Sequence, residues 1–258
     1  MDKKEAGHDR YIPRAADYLD GQSPLQRGEE KRARALDWLY RWGFSSSEIL
    51  RQVAGQKGKG YAKQLTRRGL LIETKTESGT PVFFYTLSKS GLEEAERKAM
   101  MLYAYPELDP YRVQQQQIRH YLIAQQATVS ALTSGTISAF MTEREYNDGD
   151  ETGKKRPDIV WIVSEEKIGI EVELSAKWER RLDDFITGIM RAIKSGDYHR
   201  FFIVSDSPAI IKRYAEAMRP GAKTRIWKKN ARHHWEVSKE ITIPEWVIES
   251  VSFNLLES

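Results

Sequence analysis

The stretch Ile168-Gly169-Ile170-Glu171-Val172-Glu173-Leu174 narrows the folds open to this chain more than any other segment. A period of two sends Ile168, Ile170, Val172 and Leu174 to one face of a strand. Glu171 and Glu173, with Lys167, Gly169 and Ser175, take the other. A strand built for burial cannot carry two carboxylates on one face unless they meet cations, because desolvating an unpaired charge is too costly. Upstream, Arg156-Pro157-Asp158 opens a second apolar run, Ile159-Val160-Trp161-Ile162-Val163, and the polar residues Ser164 to Lys167 join the two. If these runs pair as a hairpin, Asp158, Glu171 and Glu173 converge. Three hard oxygen ligands suit Mg²⁺ or Mn²⁺ held with waters and a substrate phosphate. Lys177, just past the strand, is placed to return toward that site.

After residue 155, strands alternate with helical patterns. The runs Trp178–Gly196, Arg200–Ser205, Pro208–Arg219 and Thr224–Trp227 read as helix, strand, helix and strand, which argues for an α/β (α+β) domain. It is expected over residues 111–258 and begins with a long amphipathic helix from Arg112, with Val113, Ile118, Leu122, Val129 and Leu132 on its apolar side. Residues 1–28 are polar, hold Pro13, Pro24 and Gly28, and read as an arm. Between them, residues 29–105 run helix, helix, helix, hairpin, helix. The first helix carries Ala35, Leu36, Leu39 and Trp42 on one stripe and stops at Gly43. Ser45, Ser46, Ser47 and Glu48 form a cap signature, and the hairpin turns at Ser78-Gly79-Thr80-Pro81. That is the order of a winged helix-turn-helix.

The charge of this first domain is concentrated in one place. Arg51, Lys57, Lys59, Lys63, Arg67, Arg68 and Lys75 face a single acid, Glu73, on and around the third short helix, where a helix-turn-helix carries its recognition helix. Lys57, Lys59 and Lys63, with Arg67 and Arg68, read as phosphate contacts, and Tyr61 and Gln64 as candidates to reach bases. A solvated helix face or a protein-docking module stays open as the alternative.

Composition removes several classes. The chain of 258 residues has no cysteine, which excludes a disulfide scaffold, a thiolate zinc site and a cysteine nucleophile. No apolar run approaches the roughly 18–20 residues that span a bilayer, and the opening residues are polar, so a soluble, cytoplasmic chain without a membrane segment is expected. Gly55-Gln56-Lys57-Gly58-Lys59-Gly60 lacks the ending of a phosphate-binding loop, and no G-x-S-x-G elbow occurs. The five histidines, His8, His120, His199, His233 and His234, include no H-x-H, so three-histidine relaxase chemistry is not supported. His120, alone on a helix, reads as a packed or hydrogen-bonded residue. The basic, aromatic segment Trp227–Trp235 mixes groups suited to stacking bases and pairing phosphates, or to a surface strand pair with a cationic turn.

Pro-Asp, a hairpin, a spaced acid pair and then a lysine resemble the core of the PD-(D/E)xK nucleases. That family usually sets lysine two residues after the second acid; here Glu173 holds the place and the lysine is Lys177. The wider order resembles the replication-relaxation proteins and the MobC class of plasmid mobilisation relaxases. It comprises a winged helix, a His-bearing helix, Arg156-Pro157-Asp158 and Glu171-Val172-Glu173-Leu174. The resemblance implies a restriction-endonuclease-like mixed sheet and Mg²⁺- or Mn²⁺-dependent nicking of DNA at a plasmid transfer origin. Asp158, Glu171, Glu173 and Lys177 would form the site, with Glu143 as a weaker candidate for an additional acid. It implies as partners an accessory mobilisation protein and a coupling ATPase. The attacking group is water or a tyrosine, such as Tyr146, Tyr198 or Tyr214. The alternative is a non-catalytic DNA-binding replication initiator or transcriptional regulator with a decayed nuclease fold. Because crowded carboxylates repel without metal, Asp158→Asn and Glu173→Gln are expected to fold as well as the parent or better.

Overall fold

The structure, a computed structural model, describes residues 23–145 and 153–256. It divides into two compact units, Met1–Val113 and Gln114–Ser258. His8, Tyr146 and most of the expected arm lie outside the described residues.

In the first unit, α1 (Pro24–Trp42) starts earlier than the apolar stripe suggests. Ser23 and Gln26 form a reciprocal cap, Ser23 Oγ accepting from the Gln26 N–H (3.2 Å) and Gln26 Oε1 from the Ser23 N–H (2.8 Å). Pro24 fits the first helical position, so the last residues of the expected arm are helix. Ala35, Leu36, Leu39 and Trp42 are buried, as the stripe requires, and Gly43 ends the helix. Ser46 caps α2 (Ser47–Val53), and α3 (Tyr61–Arg67) follows. The strands β1 (Leu71–Lys75) and β2 (Phe83–Leu87) pair antiparallel as the wing, before α4 (Lys89–Glu96). The unit runs on past residue 105. The Tyr103 N–H donates to Tyr40 Oη at 2.7 Å, and the buried Tyr105 hydroxyl accepts from the Leu87 N–H at 2.9 Å.

The second unit begins with α5 (Ile118–Thr133), six residues after the expected start, because short 3₁₀ turns occupy the segment around Pro110 and Gln115–Gln117. Next come β3 (Ala139–Thr142), β4 (Ile159–Val163), β5 (Glu166–Val172), α6 (Glu179–Lys194) and β6 (Arg200–Ser205). The unit finishes with α7 (Pro208–Ala217), β7 (Lys223–Lys229), β8 (Trp235–Thr242), α8 (Val247–Ser250) and β9 (Val251–Leu255). One five-stranded sheet runs in the order β3-β4-β5-β6-β9. Its β3–β4 and β4–β5 pairs are antiparallel, and β5, β6 and β9 lie parallel. This is an α+β fold with the expected mixed sheet. The strands β3, β8 and β9 are additions to the expected order, although Val251-Ser252-Phe253-Asn254-Leu255 alternates apolar and polar residues.

Helix α5 lies against one face of the sheet, where the Trp161 indole donates to Thr128 Oγ1 at 3.0 Å. The other face is buried by α6 and α7 through Phe185, Ile189, Phe201, Ile203 and Tyr214. At Gly169 a Cβ would come 2.7 Å from the Phe201 ring, so only glycine lets β5 and β6 close there. The β7–β8 hairpin is fastened to α6 by one carboxylate. Asp183 accepts from Thr224 Oγ1 (2.9 Å), the Arg225 N–H (3.3 Å) and the Trp227 indole (2.8 Å). No helix among the described residues is long and apolar enough to cross a membrane.

The β4–β5 pairing that carries the acids turns on two residues. Val163 pairs with Glu166, leaving Ser164 (φ 47°) and Glu165 (φ 75°) in the left-handed region that Asn and Gly adopt far more readily. The double substitution Ser164→Asn and Glu165→Gly should therefore raise stability by about 1 kcal/mol, measured by urea unfolding. A variant no more stable than the parent would mean the turn is unstrained.

Candidate functional site

The acids of the second unit lie at one end of the β4–β5 hairpin. Asp158 directly precedes Ile159, whose cross-strand partner Ile170 directly precedes Glu171, so the pairing brings these carboxylates alongside each other. The Asp158 N–H donates to the Ile170 carbonyl (3.0 Å), and Asp158 Oδ2 accepts from the Val172 N–H (2.8 Å). That oxygen also faces His120 Nε2 at 3.2 Å. His120 is thus a hydrogen-bonded helical histidine, as expected, but its partner is the leading acid of the site.

Glu171 is almost fully buried, at 1 % exposure. Its Oε1 lies 2.7 Å from Lys155 Nζ, yet no aligned hydrogen bond reaches that oxygen. Lys155 comes from the loop before β4. Its backbone N–H donates to the Gly188 carbonyl of α6 at 3.1 Å, and a Cβ on Gly188 would press on Lys155 at 3.1 Å. Glu173, also buried, pairs through Oε1 with Lys177 and accepts from the Tyr214 hydroxyl through Oε2 at 2.9 Å. Both ammonium groups stand over the Phe185 ring, 4.7 Å (Lys177) and 5.8 Å (Lys155) from its centroid.

The electrostatics follow from burial and pairing. For Asp158, burial works against ionisation, but the His120 hydrogen bond and charge, Lys155 and the Val172 N–H outweigh it and hold the carboxyl below its usual value. Burial likewise opposes the imidazolium of His120, and Asp158 overrides it, so its pKa is raised. Lys155 is held protonated against burial by Glu171 and Asp158. Glu171 goes the other way: burial, then the Asp158 charge, push it well above the usual carboxylate range, and Lys155 offsets only part.

Among the described residues no three His, Asp or Glu side chains group as a metal cage. The expected triad is therefore split. Asp158 and Glu171 adjoin, while Glu173 is engaged by Lys177 and Tyr214. Two carboxylates still fit a hydrated Mg²⁺ or Mn²⁺, a hard cation that keeps several waters and borrows phosphate oxygens, and Glu171 Oε1 is a buried oxygen that the Lys155 ammonium meets at 2.7 Å without an aligned hydrogen bond. Lys177 returns to the site as expected. Glu143 lies at its margin, accepting from the Tyr121 hydroxyl at 2.9 Å.

Other expectations need correction. Tyr214 is no candidate nucleophile: its side chain is fully buried, and burial with the adjacent Glu173 charge raises its pKa. Tyr198 is half-buried with its ring against Phe201. The expected stability gain from neutralising an acid fails for Asp158, whose charge is stabilised by its neighbours, and for Glu173, whose oxygens are both engaged. Lys155 and His120 do not stand among the expected site residues, although Lys154-Lys155 directly precedes Arg156-Pro157-Asp158.

In the first unit, Lys57, Lys59, Lys63, Gln64, Arg67 and Arg68 lie at the surface around α3. Tyr61 does not. It is buried in the core beside Ala62 and Leu65, on the face of α3 turned away from solvent, and cannot reach a base. Arg51 is engaged by Glu48, its Nε donating at 2.9 Å.

No family model matches the chain, and no curated protein matches it. Among solved structures it is similar to the crystal structure of a probable transcriptional regulator from Pseudomonas aeruginosa. The two share 19% identity, 51% of this chain and 98% of that chain are covered, and the TM-score is 0.25. At that score the likeness carries no argument.

A raised carboxyl pKa means that the folded chain binds more protons than the unfolded one, so stability falls as pH rises above the unfolded value. His120, also raised, contributes stability that is full below its unfolded pKa and is lost as pH climbs through the folded one. The parent and Glu171→Gln share that histidine, and they differ in the raised carboxyl and in the partner it gives Lys155. The variant's melting temperature should fall less steeply than the parent's from pH 5 to pH 8. Parallel curves of melting temperature against pH would place the buried proton elsewhere.

Proposed function

We propose that the chain is a metal-dependent DNA nickase in which the winged helix binds duplex DNA and the mixed-sheet unit cuts one strand, with a plasmid transfer origin as its target. The observation that carries this reading is the pairing of Asp158 with Glu171 at the end of a β-hairpin, with Lys155 on Glu171 and Lys177 close by. Mg²⁺ or Mn²⁺ held by Asp158 and Glu171 would polarise the scissile phosphate and lower the pKa of a bound water. The remaining work falls to side chains. His120 and the Val172 N–H fix the rotamer of Asp158. Lys155 sets a positive charge beside the acids, where it meets the charge that grows on the phosphate in the transition state. Tyr214 and Lys177 hold Glu173, so its charge is already balanced before DNA arrives. An accessory mobilisation protein and a coupling ATPase belong to this proposal as partners.

A second reading is favoured by one specific observation. Two of the three acids are already matched by lysines, and Glu173 stands where the nuclease family carries its lysine. On that reading the chain is a DNA-binding regulator or replication initiator with a nuclease-like unit that no longer cuts.

Supercoiled plasmid bearing the candidate origin, incubated with Mg²⁺ or Mn²⁺ and with chelator, separates the two. The parent should nick only with metal, and Asp158→Asn should lose roughly a hundredfold or more of that rate. Equal nicking by both would remove Asp158 from the chemistry, and calorimetric titration showing no divalent cation bound to the parent would leave the regulator. Replacing Lys57, Lys59 and Lys63 with Ala should weaken duplex binding and lower the salt slope by about 0.9 for each phosphate that is no longer neutralised. Unchanged affinity and slope would reject α3 as the DNA-facing helix.

A further inference from the structure

Two tryptophans of the second unit are exposed where the core would be expected to claim them. Trp178, at the start of α6 and directly after Lys177, is 62% exposed; Trp235, the first residue of β8, is 46% exposed. Each already bears a cation. The Arg213 guanidinium lies 3.4 Å from the Trp178 ring centroid and is fixed from behind by donating through Nε to the Lys177 carbonyl at 3.1 Å. The Arg180 guanidinium lies 4.2 Å from the Trp235 centroid and is anchored by Asp184 at 2.7 Å, and Lys229 Nζ stands 5.4 Å from the same ring. Contacts of this kind occur about once per 70–80 residues, so three on two exposed rings are a concentration. Arg180, two residues beyond Trp178, reaches Trp235, so both rings border the start of α6, next to Lys177 in the chain. The hairpin that presents Trp235, residues 223–242, has six Lys or Arg against Glu236 and Glu240, which pair with Lys228 and Lys223, and Asp183 holds it onto α6.

We infer that these two cation-bearing rings form a binding platform for the unpaired bases of a single DNA strand. Open indole faces offer stacking to any base, and the flanking guanidinium and ammonium groups meet the phosphates between bases. Duplex DNA is the wrong ligand, since its bases already stack on one another and present only their edges. A docking protein would not call for so many cations on the rings themselves. The biological sense of the platform rests on the reading of this unit as a DNA-cutting domain: it would hold the unpaired strand beside Lys177 and the acids.

The test uses the full chain in chelator, so that no cutting occurs, and follows the fluorescence anisotropy of labelled oligothymidine and of a labelled duplex. The parent should bind oligothymidine with quenching of tryptophan fluorescence. The variant Trp178→Ala with Trp235→Ala should bind it at least about tenfold more weakly and lose most of the quenching, while duplex affinity stays the same. Trp178→Phe with Trp235→Phe should recover most of the affinity, since a phenyl ring still stacks. Oligothymidine binding unchanged in the alanine pair overturns the platform, as does a phenylalanine pair no better than the alanine pair, or an equal loss for duplex and single strand. A parent that binds oligothymidine through these rings yet never nicks with metal supports the platform and overturns the nickase reading.

Discussion

A carboxylate in the middle of an apolar sheet is the constraint on which the second unit depends. Glu171 sits on β5, between β4 and β6, with almost no solvent access, and an isolated charge there would be prohibitively costly. The surroundings answer it at several points. Lys155 is brought down from a loop onto α6, and Gly188 leaves room for that approach. Lys177 neutralises the neighbouring Glu173, to which the Tyr214 hydroxyl also donates. His120 does the same for Asp158. Phe185 forms the floor over which the two ammonium groups meet. Removing any one of these residues leaves the rest of the set unbalanced, so they are coupled in energy.

The chain uses its cations in two distinct ways. In the second unit, Lys155 and Lys177 are drawn inward and committed to specific acids. Around α3 in the first unit, Lys57, Lys59, Lys63, Arg67 and Arg68 are left at the surface on a short helix whose inward face is Tyr61, Ala62 and Leu65. The first arrangement gives up free charge and gains local order. The second keeps a field that reaches into solvent and weakens with salt.

What the sequence discloses tracks how local each feature is. The stripe on α1, the cap at Ser46, the wing and the acid-bearing strand all rest on neighbours a few residues apart, and each is readable. The edge strands β3 and β9 are readable only in part, since the alternation of Val251–Leu255 marks a strand and not the neighbour it joins. They are short, and their place comes from pairing with β4 and with β6, residues distant along the chain. Tyr61 illustrates an ambiguity that periodicity cannot remove in a helix of seven residues, because an aromatic among lysines looks the same whether it faces a core or a groove. At the site, the acids announce themselves by breaking an apolar pattern. Lys155 lies in a loop with no pattern to break, and His120 is matched to Asp158 only through the tertiary fold. Even where the residues are legible, their pairing is not: which lysine answers which glutamate depends on the approach of α6.

The order of the sheet also bears on how the second unit comes together in time. The β4–β5 ladder closes through a two-residue loop, whereas β9 joins β6 only after α7, the β7–β8 hairpin and α8 have been arranged. Contacts close in sequence form fastest, since little chain entropy is lost in closing them. The hairpin can therefore carry Asp158 and Glu171 into register while both are still hydrated. In the folded unit the Gly188 carbonyl of α6 accepts from the Lys155 N–H, and Glu171 beneath is left with almost no water. The docking of that helix is thus the step at which the electrostatic debt of the unit falls due.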